Sequence, residues 1–107
     1  MDVKSTFQEL QSRMNENPEG IKGLNAVYQF NLNEDKIYQI SFHEGNVEMY
    51  EREEKSPDCI LELSDENVLK MIEGNFNTTM AYMTGKLKVK GDLGLALKLQ
   101  SALEKYQ

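Results

Sequence analysis

Residues 80–103 read MAYMTGKLKVKGDLGLALKLQSAL, and this run decides how the rest of the 107-residue chain is read. Gly85 closes an apolar helical turn, and Lys86-Leu87-Lys88-Val89-Lys90 then alternates strictly, as a strand with one wet face does. Gly91-Asp92 turns the chain into a leucine-rich helix. At about 100° per residue, Leu93, Leu95, Ala96, Leu97, Leu99, Ala102, Leu103 and Tyr106 spread over roughly 220° of it. A helix resting on a sheet needs about half that width. The surplus predicts a second apolar neighbour.

Working outward, Asp2 can cap a first helix whose Val3, Phe7, Leu10 and Met14 share one face. Asn17-Pro18 ends it, because a residue before proline avoids the α region. Ala26, Tyr28, Phe30 and Leu32 then alternate with Val27, Gln29 and Asn31, which predicts a strand. Asn33-Glu34-Asp35 is a turn into a second strand, Lys36 to Phe42, with Tyr38, Ile40 and Phe42 on one side. His43-Glu44-Gly45-Asn46 is another turn, leading to a short strand with Val47 and Met49 inward. The charged segment EREEKSPD, residues 51–58, reads as a surface loop, and Cys59 to Leu63 as a strand. Ser64 or Asp65 can cap the next helix, with Val68, Leu69 and Ile72 as its buried stripe, Met71 beside them and Gly74 as the stop. Asn77 can cap a short helical turn holding Met80 and Met83. A meander of strands with helices on one face and water on the other predicts a single α+β domain spanning residues 1–107.

Composition narrows the function. Charged residues make up 28% and hydrophobic ones 39%, with no apolar run long enough for a bilayer. Neither a basic nor an apolar leader follows Met1-Asp2-Val3, and the single Cys59 has no disulfide partner, so the expected setting is the cytoplasm. A net charge of −6 argues against nucleic acid as a partner. Residues 1–85 carry seven basic side chains against sixteen acidic ones. Residues 86–107 carry five lysines against Asp92 and Glu104, so only the C-terminal part is positive.

Catalytic patterns are missing. His43 has no neighbouring histidine or cysteine with which to hold a metal and reads as an exposed turn residue. Cys59 reads as a small buried strand residue, and Asn77-Thr78-Thr79 as a helix cap rather than a glycosylation site. The glycines around residues 85–94 fit neither a phosphate loop nor a dinucleotide fingerprint. No cofactor and no enzymatic activity are expected. Methionines at 71, 80 and 83 join the apolar surplus; thioether side chains adapt to varied guests.

Leu69-Lys70-Met71-Ile72-Glu73-Gly74, followed by the run from Met80 to Gln100 with its GKLKVKGD core, resembles the sterol carrier protein-2 domain. The resemblance implies a five-stranded, mainly antiparallel sheet with helices on one face and an apolar tunnel between them. It implies non-covalent binding or transfer of a fatty acid, fatty acyl-CoA, phospholipid or isoprenoid, with the C-terminal helix as wall and lid. By position, the lining draws on Met71, Ile72, Phe76, Met80, Met83, Leu87, Val89, Leu93, Ala96, Leu97 and Leu103, while Gln100 matches a family glutamine that meets a polar headgroup. The ending Lys105-Tyr106-Gln107 lacks a peroxisomal Ser-Lys-Leu-like address, and the acidic balance differs from the basic eukaryotic carriers. A stand-alone bacterial member is the expectation, with sterol a less favoured guest than an acyl or isoprenoid chain. Membrane contact through Lys86, Lys88, Lys90 and Lys98 is expected to be weak or transient. The alternative is a dimerisation or protein-interaction module, monomer or homodimer, using the same apolar groove and an exposed face of Leu95, Leu99 and Tyr106.

Overall fold

The computed structural model describes residues 2–107. In order these form α1 (Val3–Glu16), β1 (Ala26–Asn31), β2 (Ile37–His43), β3 (Asn46–Tyr50), β4 (Cys59–Glu62), α2 (Asp65–Glu73), α3 (Thr78–Met83), β5 (Lys88–Gly91) and α4 (Leu93–Glu104). One turn of 3-10 helix, Pro18–Ile21, connects α1 towards β1. The sheet runs β3-β2-β1-β4-β5; β1 and β4 are parallel and the other pairs antiparallel. The architecture is α+β, with a five-stranded, mainly antiparallel sheet, as the sequence implied.

Strand alternation builds the core. Tyr28, Phe30, Tyr38, Ile40, Phe42, Val47, Cys59 and Leu61 are all buried, at alternate positions along four strands. Phe7 of α1 lies with its ring 5.2 Å from both Phe30 and Tyr38, and Tyr28 meets Phe42 edge-on at 5.7 Å. Such pairs add about 0.5–1.5 kcal/mol beyond the area they bury. The Tyr28 hydroxyl donates to the Leu95 carbonyl of α4 at 2.7 Å, joining sheet to helix. Helix starts are fixed by side chains: Asp2, Ser64, Asn77 and Asp92 accept from the backbone N–H groups of Ser5, Asn67, Met80 and Gly94. Between the two candidates Ser64 and Asp65, the cap is Ser64. Asp65 instead exchanges hydrogen bonds with Asn33 of the β1–β2 turn, at 2.9 and 3.2 Å, and pairs with Lys36.

Three expectations need correcting. The last strand begins at Lys88, not Lys86, because the Lys86 and Leu87 N–H groups both donate to the Ala81 carbonyl and finish the turn of α3. The sheet's outer face is also not simply wet, since Gln29, Gln39 and Ser41 are buried on it. The Gln39 carbonyl oxygen accepts from the Glu54 and Lys55 N–H groups, and its amide donates to the Lys55 carbonyl and to Gln29. The 51–58 loop, exposed along most of its length, is therefore pinned across the sheet. On α2, Val68 and Met71 are the buried pair while Leu69 and Ile72 are half-buried. That nine-residue helix lies against both α1 and α4, which turns its stripe by one position.

Candidate functional site

The twelve residues expected to line a ligand site divide evenly by burial. Met71, Leu87, Ala96 and Leu103 lie in the core; Ile72, Phe76, Val89 and Gln100 are half-buried; Met80, Met83, Leu93 and Leu97 are exposed. Among the described residues, the large hydrophobic side chains that stay exposed are Met80, Tyr82, Met83, Leu93 and Leu97, at 38% to 76%. All five belong to α3 and α4, which pack against each other.

Helical geometry explains why they stay out. Counting from Leu93, the buried Ala96, Leu99, Ala102 and Leu103 fall within about 180–300° of the α4 circumference, whereas Leu93 and Leu97 fall at about 0–40°. The sheet and α2 cover the first arc and cannot reach the second. The surplus apolar width is thus real, and its excess is carried by Leu93 and Leu97. The alternative interaction face is corrected by the same geometry: Leu99 is only 1% exposed, and Leu95 and Tyr106 are half-buried. Leu97 also borders an open groove of about 350 Å³ with Gly23, Leu24, Lys98, Ser101 and Lys105.

The two helices are held unequally. At its far end α4 is tied down by the last two residues. The Tyr106 hydroxyl donates to the Asn17 carbonyl and accepts from the Gly20 N–H, and the Gln107 amide donates to the Met71 and Ile72 carbonyls. A Cβ on Gly20 would come within 2.7 Å of the Tyr106 ring, so the small residue is needed there. Between α3 and α4, by contrast, the side-chain hydrogen bond is that from the Thr78 N–H to the Gln100 carbonyl oxygen, 3.1 Å. Beside it the Thr78 hydroxyl is buried with no partner among the described residues. An unpaired buried hydroxyl costs about 1–3 kcal/mol.

The buried Thr78 hydroxyl, the exposed Tyr82 and the anchoring role of Tyr106 and Gln107 do not figure in the sequence reading. Tyr82, flanked by Ala81 and Met83, could have been found from its place in the MAYM run; the anchor joins residues 35 to 89 positions apart and leaves no local signal. Of the buried titratable groups, Cys59 has its thiol pushed up to about 11, by burial first and then by Asp92 and Asp58. It stays neutral and serves as packing. Burial likewise raises Tyr28. Neither is poised for proton transfer near neutral pH.

Residues 7–104 match the SCP-2 sterol transfer family. The hydroxysteroid dehydrogenase-like protein 2 of Xenopus tropicalis is 35% identical over 105 residues, 94% of this chain but 24% of its own. The chain thus spans about a quarter of that relative's length. Among solved structures, sterol carrier protein 2 from Yarrowia lipolytica in its apo form is 28% identical, with a TM-score of 0.74 over 94% of this chain and 88% of that one. The sterol carrier protein domain 2 of Helicoverpa armigera is 25% identical, with a TM-score of 0.76 over 95% and 84%.

Proposed function

Since the chain belongs to the SCP-2 sterol transfer family, we propose that residues 1–107 form a lipid-binding domain that takes one apolar chain non-covalently at the seam between α3 and α4. The single observation behind this is that the large apolar side chains left exposed among the described residues, Met80, Tyr82, Met83, Leu93 and Leu97, all belong to these two packed helices. A guest lying there covers the surplus arc of α4 and reaches inward to Met71, Leu87 and Leu103. Covering the exposed half of Met80, Met83, Leu93 and Leu97 is worth about 3–6 kcal/mol in all, and a sixteen-carbon guest adds on the order of 12 kcal/mol gross at ~0.8 per methylene. Set against association costs of at least about 4 kcal/mol, that gross gain is of the size micromolar binding needs, about 8 kcal/mol net.

The C-terminal helix as a loosening lid fits less well than a moving α3. Tyr106 and Gln107 anchor the end of α4, while α3 is six residues long and held to α4 by the Thr78–Gln100 bond. Breaking that bond frees Gln100 to meet a headgroup and offers the Thr78 hydroxyl its missing partner. A standing void would be costly: ~400 Å³ left empty costs about 10 kcal/mol, as much as a small domain's whole stability of ~5–15 kcal/mol. A seam that closes without a guest avoids that. A flexible fatty acyl or isoprenoid chain threads between two helices progressively, whereas a fused-ring sterol needs the full width opened at once. The domain acts in the cytoplasm by sequestration and hand-over, with no covalent step and no cofactor.

Native mass spectrometry of the purified protein, with titration of a fluorescent fatty acid, tests the reading. Heterogeneous bound lipid and saturable micromolar binding are expected; the absence of both bound mass and saturable binding overturns it. An interaction module using the rim predicts instead a lipid-independent dimer that Met83→Glu splits, seen by size exclusion with light scattering.

A further inference from the structure

We propose that the free edge of β5 is a docking strand for an acidic, extended segment of a partner protein, which joins the sheet as a sixth strand. The two edges of the sheet are finished differently. At β3, side chains of α1 close the edge: the Asn15 amide oxygen accepts from the Val47 N–H at 3.0 Å, and the Asn15 and Gln11 amides donate to the Val47 carbonyl at 3.2 and 3.3 Å. At β5 no side chain reaches the backbone in this way among the described residues. The Leu63 N–H donates to the Asn31 carbonyl of β1 at 3.2 Å. Alternation then turns the backbone of Cys59 and Leu61 towards β1 as well, and that of Ile60 and Glu62 towards β5. Their register partners Lys90 and Lys88 bond back to β4, so the N–H and C=O groups of Val89 and Gly91 point out of the sheet. Leu87 has the same orientation, and its N–H goes to the Ala81 carbonyl at 3.1 Å.

Charge selects the occupant. Lys90 pairs with Glu62 at 3.2 Å, and Lys88 stands across from the same residue, so two ammonium groups share one carboxylate on the outer face. Lys86 borders a cleft with Lys88 and Glu62 and adds a third. Asp92, just beyond the strand, is engaged in capping Gly94 at 2.8 Å. This edge is therefore cationic on a molecule of net charge −6. An added antiparallel strand sets its side chains beside those of β5 on the same face. Acidic residues fall opposite Lys88 and Lys90, and between them a small apolar residue falls opposite the half-buried Val89 while exchanging backbone hydrogen bonds with it. Lysines on an edge discourage pairing between like edges. A second copy would set lysine against lysine, so the same charges reject self-pairing and favour an acidic strand.

This goes beyond the carrier reading, which makes no use of the β5 backbone. The test is titration of the nitrogen-15-labelled protein with a short capped peptide alternating glutamate and valine, followed by amide shifts and hydrogen exchange. Shifts are expected to centre on residues 87–91. Exchange of the Val89 amide should slow at least about fivefold, while the Lys88 and Lys90 amides, already bonded to β4, change little. A twin peptide methylated on its valine nitrogens keeps the charge but loses donors, and should bind about fivefold more weakly for each hydrogen bond lost. Lys88→Gln/Lys90→Gln should weaken binding about two- to fivefold per lysine and keep the wild-type circular dichroism melt, both side chains being exposed. No binding of the acidic peptide overturns the proposal, as does equal binding of the methylated twin or of a peptide with lysine in place of glutamate. Undiminished binding by the lysine variant does the same. Protection of the Val89 amide that grows with protein concentration in the absence of peptide also overturns it, assigning the edge to a second copy.

Discussion

On α1 the Phe7 ring packs against Phe30 and Tyr38, all three with at most 8% of their surface exposed; on α3 and α4, Met80, Met83, Leu93 and Leu97 expose 38% or more. The first region is closed by rigid rings on a fourteen-residue helix and two adjacent strands, β1 and β2. The second rests on a six-residue helix, a four-residue edge strand and flexible side chains. One end of the molecule is closed; the other leaves its apolar side chains exposed. The difference lies in which residue types the chain places at each end, since both use the same pattern of helix on sheet.

The largest test of that contrast is a pair of truncations followed by urea unfolding. Phe30→Ala should cost about 3–5 kcal/mol by opening a cavity in the aromatic end. Met83→Ala should stay within about 0.5 kcal/mol. Equal losses would erase the distinction. Next comes Gln39→Ala, which leaves the Glu54 and Lys55 N–H groups and the Gln29 amide oxygen short of partners. It should cost about 1–3 kcal/mol and hasten tryptic cleavage after Lys55, without changing the proposed acyl binding at the seam.

Those two experiments also divide what was legible in the sequence from what was not. The aromatic end could be read directly, because period-two alternation in residues 26–42 and the Phe7–Leu10–Met14 face state their own burial. The surplus of α4 was legible as an arc, yet which leucines would be left over depended on neighbours far away in the chain. Leu99 and Leu97 look alike in sequence and end as core and rim. Gln39 was silent for another reason: its partners are the backbone groups of a loop that has no periodicity. The start of β5 was misplaced because the alternation of residues 86–90 continues through a turn that the Ala81 carbonyl closes.

A smaller effect is expected from Thr78→Val. Removing a buried hydroxyl without a partner should raise stability by about 1 kcal/mol, which is about 4–8 °C in a melt of a domain this size. A lower melting temperature would mean the hydroxyl is satisfied and the seam is as well packed as the aromatic end. The smallest effect concerns Cys59, whose raised thiol pKa favours the protonated form when folded. The unfolded thiol ionises first, so this contribution is constant below about pH 9 and stability declines between there and about pH 11. Cys59→Ala should lessen that decline between about pH 9 and 11, measured as urea midpoints against pH, while the part due to the raised Tyr28 hydroxyl remains.

Methionine oxidation reports most directly on whether a lipid covers the seam. With hydrogen peroxide and peptide mass spectrometry, Met80 and Met83 should oxidise fast in the lipid-free protein, and Met14 and Met71, both buried, slowly. Saturating palmitate should slow Met80 and Met83 towards the rate of the buried pair. Unchanged oxidation of Met80 and Met83 in the presence of bound palmitate would contradict the account.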